Sequence, residues 1–371
     1  MKLHYLSIKL SLLILLPTIL AVAQPNTHSI IPEPVSIEME SGTFTITPKT
    51  SILFASPSNE LSKLADLLAE RLRSATPPGS VNHHLPKRNY ILLKLTPEAH
   101  GHPEGYEMVV DKESITISAV NGKGIFYGIQ TLFQLLPAEF EKSEPGKTHI
   151  NRKVPICSVK DYPRFPYRGM HLDVSRHFFP VEFIKKYIDL MSVYKYNNFH
   201  WHLTDDQGWR LEIKKYPLLT EIGSMRTSSP IGRSETGDHI PYGGYYTQDE
   251  AREIVEYARQ RYINVIPEIE MPGHSLGALA AYPELSCTGG PFEVWTQWGV
   301  ADDILCAGND EVFHFLEEVL TEVMNIFPSK YIHIGGDEAP ETRWEKCTRC
   351  QKRMAGEGLK DAYELQSYFI R

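Results

Sequence analysis

The sequence predicts an α/β protein in two parts, a small α+β domain followed by βα units of the (β/α)₈ barrel class. Three observations carry that prediction. Residues 30–155 mix short alternating runs with a stretch of helical spacing. After Tyr167 the rhythm changes, and short strand-like runs alternate with amphipathic helices, the pattern of parallel βα units. Two unusually long connections, from Thr204 to Tyr246 and from Glu268 to Gly308, leave the C-terminal ends of predicted strands, where barrels build their sites.

Taken in order, Lys2 and Lys9 precede an apolar run from Leu10 to Leu20 and then Ala21-Val22-Ala23. That is the order of a secretory signal peptide cut after Ala23. The run is shorter than the roughly 20 residues a spanning helix needs, so no membrane span is expected, and the expected location is secreted or periplasmic. In the next segment Phe44-Thr45-Ile46 and Ser114-Ile115-Thr116-Ile117 alternate as strands do, while Leu61, Leu64, Leu68 and Leu72 share one helix face. Asn121-Gly122 marks a turn before an apolar helix. Gly122-Lys123-Gly124 is not a nucleotide loop, because the strand-before-helix context is missing. The expected divisions are a leader over 1–23, an α+β domain over 24–158 and a barrel portion over 159–371.

In the barrel portion strands are predicted at Arg168–Asp173, Asn198–Leu203, Ile263–Pro267 and Tyr331–Gly335. Helical spacing joins Phe183, Tyr187, Ile188, Met191 and Tyr194, then Ala251, Ile254, Val255 and Ala258, then Val312, Leu316, Val319, Leu320 and Val323. Thr247 with Glu250 forms a capping box that starts the second of these helices. Four βα units are half of an eightfold barrel, and Asp361 to Arg371 reads as a helix stopping mid-pattern. The sequence is therefore expected to hold the N-terminal half of the barrel.

A formal charge of −8 with Lys and Arg scattered along the chain leaves no basic footprint for phosphate backbones, so no nucleic-acid partner is expected. There are five cysteines. Cys287 and Cys306 flank one loop and are the first candidates to pair in an oxidising compartment. Cys347 and Cys350 form a C-x-x-C, but no second ligand pair at metal-site spacing follows them, so no metal and no cofactor is expected.

Read at strand ends, the polar residues are Arg168 and Asp173, then His200, His202, Asp205 and Asp206, then Glu268, Glu270 and His274, and last His333, Asp337 and Glu338. Gly335-Gly336 lets the chain turn so that Asp337 and Glu338 both reach the mouth. Adjacent carboxyls raise one another's proton affinity, and a partly buried one can keep its proton near neutral pH, as a leaving glycosidic oxygen requires. Two-carboxylate sugar hydrolysis places its acids on opposite sides of the bond, about 5 to 9 Å apart. Consecutive residues suit that opposition poorly, which points to a nucleophile from elsewhere.

The run His333-Ile334-Gly335-Gly336-Asp337-Glu338 resembles the signature of family 20 glycoside hydrolases, the β-N-acetylhexosaminidases. So do Tyr167-Arg168-Gly169-Met170-His171-Leu172-Asp173, the run from His200 to Arg210, and Glu268-Ile269-Glu270-Met271-Pro272-Gly273-His274. The resemblance implies exo-acting, substrate-assisted, retaining hydrolysis of glycans ending in N-acetylglucosamine or N-acetylgalactosamine. It implies Glu338 as acid and base, Asp337 as the partner that orients the 2-acetamido group, and His274 with Asp205 as a pair tuning Glu338. Asp206 competes with Asp205 for that place. Arg168 would grip hydroxyls of the terminal sugar, its bland alternative being an ion pair with an acid such as Asp173. His200 and His202 point the same way from one strand and are read as interior histidines, and Trp201, Trp209, Trp295 and Trp298 are as readily packing as sugar platforms. Two rival readings are a metal-dependent barrel hydrolase using the His-x-His, and a secreted glycan-binding protein without turnover.

Overall fold

The computed structural model describes residues 29–55, 58–73, 77–81, 85–96, 101–141, 152–232 and 236–371, so the expected leader lies outside the described residues. The first part is a seven-stranded sheet of β1 (Ser36–Thr45), β2 (Ser51–Phe54), β3 (Gly79–Ser80), β4 (Tyr90–Leu95), β5 (Tyr106–Val110), β6 (Ser114–Ala119) and β7 (Lys153–Asp161). Its order is β1-β7-β5-β6-β4-β2-β3, antiparallel from β1 to β6 and parallel from β6 to β3. The alternation seen in the sequence buries Ile115, Ile117 and Ala119. Helix α1 (Asn59–Leu72) begins where the Ser58 side chain accepts from the Leu61 amide, and it buries Leu61, Leu64, Leu68 and Leu72. Helix α2 (Gly122–Leu135) starts on Asn121, whose side chain accepts from the amides of Lys123 and Gly124. A strand does precede this helix, β6 running directly into α2, so the strand-before-helix context expected to be missing is present, and Gly122-Lys123-Gly124 is a helix start whose Lys123 and Gly124 amides are capped by Asn121. Buried on nearly every side, α2 packs against the sheet and against the first helix of the second part.

The second part has its own core, from Val174 to Phe369, separate from the first, which runs from Ile30 to Val159. Its parallel strands β8 (Gly169–Asp173), β9 (Asn198–His202) and β10 (Asn264–Glu268) lie in the order β10-β9-β8. Helix α3 (Val181–Val193) buries Ile184, Ile188 and Met191 and leaves Phe183 and Tyr194, expected on that face, exposed, whereas α4 (Gln248–Arg259) and α5 (Asp310–Ile326) bury the faces that the sequence spacing indicated. The Thr247–Glu250 capping box is formed in both directions.

The run Tyr331–Gly335 departs from expectation. It touches β10 through one parallel bridge, Glu268 to His333, rather than a ladder. The His333 amide donates to the Pro267 carbonyl at 2.9 Å and the Ile269 amide to the His333 carbonyl at 3.0 Å. One step further toward the strand's start, the ladder would need residue 267 as donor to Tyr331. Proline has no amide hydrogen, and the pairing stops.

Beyond it lie helices α6 (Thr348–Glu357) and α7 (Ala362–Ile370), the latter capped by Asp361. The two cores are joined by buried polar contacts, in which the Lys195 ammonium donates to Asp161 at 2.8 Å and to the Tyr106 hydroxyl at 3.0 Å. Among the described residues no helix is long and apolar enough to cross a membrane.

Candidate active site

Strand register sets the floor of the site. His202 is the register partner of both Asp173 and Glu268, and the three form one row across the C-terminal ends of β8, β9 and β10. Side chains alternate along a strand, so His171 and His200, two residues before Asp173 and His202 and themselves partners, face the same way as that row. Glu268 therefore sits among histidines. His200 Nε2 and His333 Nδ1 each lie 2.7 Å from a Glu268 carboxylate oxygen, and His202 Nδ1 lies 3.6 Å away. Burial opposes charge on Glu268, but its contacts with His171 and His200 and the nearby His202 outweigh that and hold the carboxyl well below its usual range. Glu270, two residues on, has no such set of partners, and burial with Glu268 and Asp205 nearby pushes its carboxyl up to about 8.

Past the strand ends, the chain brings together Asp205, Asp206, His274 and Glu338. His274 Nδ1 lies 3.2 Å from Asp205 Oδ1 and 3.4 Å from Asp206 Oδ2, and its Nε2 lies 3.5 Å from Glu338 Oε2. The two aspartates push the imidazole up to about 11, so an imidazolium faces Glu338 at neutral pH. Asp205 makes the shorter contact and is itself held below its ordinary range, burial notwithstanding, by His202 and His274. Asp206 is also tied to the start of the short helix Leu276–Ala281, accepting from the Leu276 amide at 3.0 Å. Asp205 thus serves the histidine, whereas Asp206 divides its two oxygens between the histidine and that helix.

The Gly335-Gly336 turn is as required, with φ of +64° and +90°. At Gly335 an added Cβ would stand 1.6 Å from Glu270 Oε2, so the turn rests directly on the buried carboxyl. His274 and Glu338 both hold left-handed backbone, at φ 50° and 48°, a conformation that costs a non-glycine residue about 1 kcal/mol or more and is held by its surroundings. The expected burial of one of the paired acids is not found. Asp337 and Glu338 are exposed, Glu338 to 61%, and the buried, proton-retaining carboxyl is Glu270.

The expected role of Arg168 requires correction. It precedes the first residue of β8 and so lies at the opposite end of the strand from the mouth. Its guanidinium is engaged there by the Lys195 and Phe165 carbonyls, by the Tyr127 hydroxyl and by Glu104 of the first domain at 2.5 Å. Nor is its partner Asp173. The arginine at the mouth is Arg176, just past the end of β8, with Nη1 3.0 Å from Asp173, Nη2 2.7 Å from Asp205 and Nε donating to Gln207. Strand direction alone could have found it.

Trp201 and Trp209 are buried in the core, Trp295 packs against it, and Trp298 is exposed. Histidine and carboxylate atoms able to hold a metal do cluster, as in His200, Glu268 and His333, but those nitrogens already stand at hydrogen-bond distance from Glu268. Cys287 and Cys306 are free thiols, and the pairing expected of them is replaced by a convergence with Cys347 and Cys350.

Comparison with known proteins agrees with this layout. The model for "Glycosyl hydrolase family 20, catalytic domain" matches residues 165–371, and that for domain 2 of the same family matches residues 27–162. A β-hexosaminidase of Porphyromonas gingivalis is 48% identical over 346 residues, covering 92% of this chain and 43% of the relative. The crystal structure of a β-N-acetylhexosaminidase from Bacteroides fragilis superposes with a TM-score of 0.76 at 36% identity, over 92% of this chain and 62% of that one. An exo-β-N-acetylglucosaminidase from Vibrio harveyi, in complex with N-acetylglucosamine, superposes with the same score and identity over 92% of this chain and 52% of that one. The chain spans about half the length of the curated relatives it matches. The barrel class preceded by a small domain is the architecture of these neighbours.

Proposed function

Because the chain belongs to glycoside hydrolase family 20, we propose that it acts as an exo-β-N-acetylhexosaminidase, removing terminal non-reducing N-acetylglucosamine or N-acetylgalactosamine from glycans by substrate-assisted, retaining hydrolysis. The observation that carries the reading is the line of contacts from Asp205 through His274 to Glu338, with Asp337 beside it at the mouth. Glu338 donates its proton to the glycosidic oxygen as the bond breaks. The substrate's own acetamido oxygen attacks the anomeric carbon from the other face, which is why two opposed carboxylates are not needed. Asp337 accepts from the acetamido N–H and balances the positive charge of the bicyclic intermediate. The His274 imidazolium steadies Glu338 once it is a carboxylate, and Glu338 then takes the proton of the attacking water. Two inversions give retention.

Arg176, held between Asp173 and Asp205 with part of its side chain open, is the side chain we assign to the sugar hydroxyls. The leader-like first 23 residues favour action outside the cytoplasm.

The test uses aryl N-acetyl-β-glucosaminides with the acetamido methyl carrying none, one or three fluorines. Each fluorine weakens the acetamido oxygen as nucleophile, so kcat/KM should fall stepwise along the series. Glu338→Gln should lose about 10²- to 10⁴-fold on poor leaving groups and much less on activated ones. A rate indifferent to fluorination would sink the substrate-assisted mechanism. A Glu338→Gln enzyme as fast as the parent on poor leaving groups would remove the acid.

A further inference from the structure

Four of the five cysteines meet at one point, two of them, Cys287 and Cys306, remote in sequence from each other and from the Cys347–Cys350 pair. Cys287 ends the turn after Pro283–Leu285, Cys306 ends the loop that follows, Cys347 precedes α6, and Cys350 lies in its first turn. Their sulfurs all lie within 4.8 Å of one another. The closest approaches are 3.7 Å from Cys287 to Cys350, 3.7 Å from Cys306 to Cys350 and 3.8 Å from Cys306 to Cys347. Cys306 and Cys350 are fully buried and Cys347 nearly so.

Two disulfides would require two sulfur pairs about 2 Å apart, well separated from each other in distance from all remaining combinations. Three of the observed distances are instead near-equal, at 3.7 to 3.8 Å, with the others within 4.8 Å, and Cys350 is as close to Cys287 as to Cys306. Four thiolates around a tetrahedral zinc, with Zn–S bonds of about 2.3 Å, are spaced about 3.8 Å apart. We propose that Cys287, Cys306, Cys347 and Cys350 form a structural tetrathiolate zinc site that clamps the 287–306 loop to the start of α6.

The surrounding backbone is shaped to bring the two halves together. At Gly308 an added Cβ would stand 2.2 Å from the Arg349 carbonyl carbon, so only glycine allows the loop to lie against the Arg349–Cys350 peptide. Arg349 donates to the Ser286 carbonyl at 2.6 Å, which sets a fixed positive charge next to a centre whose four thiolates exceed the metal's charge by two. Trp344, buried, donates to the Leu305 carbonyl at 2.9 Å and closes the other side. A closed four-sulfur shell has no open position, so the site is structural and separate from the chemistry at Glu338.

The deciding measurement is made on the intact protein, purified without chelator or reductant, by elemental mass spectrometry together with thiol titration. About one zinc per chain is expected, with the cluster thiols unreactive until denaturation with a chelator, after which all five cysteines titrate. Cys350→Ser and Cys306→Ser should lose the zinc, whereas Cys157→Ser, in β7 of the other core, should keep it. The metal and thiol counts of the parent protein decide the matter even if the serine variants do not fold. A chain lighter by about four hydrogens and free of zinc would mean two disulfides and would overturn the proposal. Five reactive thiols with no zinc after incubation with the metal would overturn it as well, as would iron in place of zinc.

Discussion

Arg168 and Arg176 bracket a single strand, and their environments assign them opposite duties. Arg168→Ala removes a partly buried pair with Glu104 and three further hydrogen bonds, so it should cost roughly 2 to 3 kcal/mol of stability while leaving KM within about two-fold. Arg176→Ala should do the reverse, lowering kcat/KM by more than about ten-fold with a smaller change in melting temperature. Thermal melts and steady-state kinetics on both variants check the pair, and a KM defect confined to Arg168→Ala would reverse the assignment. The sequence motifs announced an arginine beside β8 but not which of two. Orientation along the strand, not residue type, separates them, and a reading that weighs motif over direction picks the wrong end. Glu270 makes a second prediction at this scale. Its folded-state carboxyl keeps a proton up to about 8, whereas the unfolded chain releases it near 4.5, so the folded state binds the extra proton and stability falls as pH rises between those values. Glu270→Gln removes that slope, at most about 1.4 kcal/mol per pH unit. Its melting temperature should gain on the parent's from pH 5 to pH 8, and parallel curves would show that Glu270 is already ionised.

Elements were legible wherever local chemistry decides them. Leu61 to Leu72, Asn121 and the Thr247–Glu250 box each fix a helix through its own caps and apolar spacing, without help from distant residues. The run at 331–335 was not legible in the same way, since its pairing depends on the neighbour's Pro267 and not on its own alternation. The turn that follows is the most constrained element of the site. Gly335→Ala places a Cβ against Glu270 in a backbone conformation that disfavours it, so the turn must shift and carry Asp337 and Glu338 with it. A fall in kcat of about 10²-fold or more is expected, larger than any loss of melting temperature would explain. An alanine variant with parental kcat would show that the turn does not position the acid.

At the scale of the molecule, two cores meet across Lys195, Asp161 and Tyr106, a contact that joins residues 34 and 89 positions apart in the chain and that no local pattern marks. Lys195→Met leaves the buried Asp161 without its cation and should cost about 3 to 5 kcal/mol in urea denaturation, part of it recovered by adding Asp161→Asn. No recovery in the double variant would mean that the pair is not what the single change breaks. The cysteines show the same limit of sequence reading. The C-x-x-C is visible, but the sulfurs it meets come from 41 to 63 residues upstream, so searching downstream for a second pair could not find them. The loop those sulfurs enclose has a narrow base, where Ser286 and Leu305 form a β-bridge and the Cys306 amide donates to Leu285 at 2.9 Å. Its middle lies against the mouth, the Trp295 amide donating to the Asp206 carbonyl and Gln207 to the Gln297 carbonyl. Between those contacts the loop is of two kinds: Ala301 and Ile304 belong to the core, while Trp298, Gly299 and Val300 stand exposed beside the mouth. Closure entropy grows slowly with length, so that exposed tip is where the chain can be exchanged or lengthened to reshape what the mouth admits at least cost to the acid and its histidine.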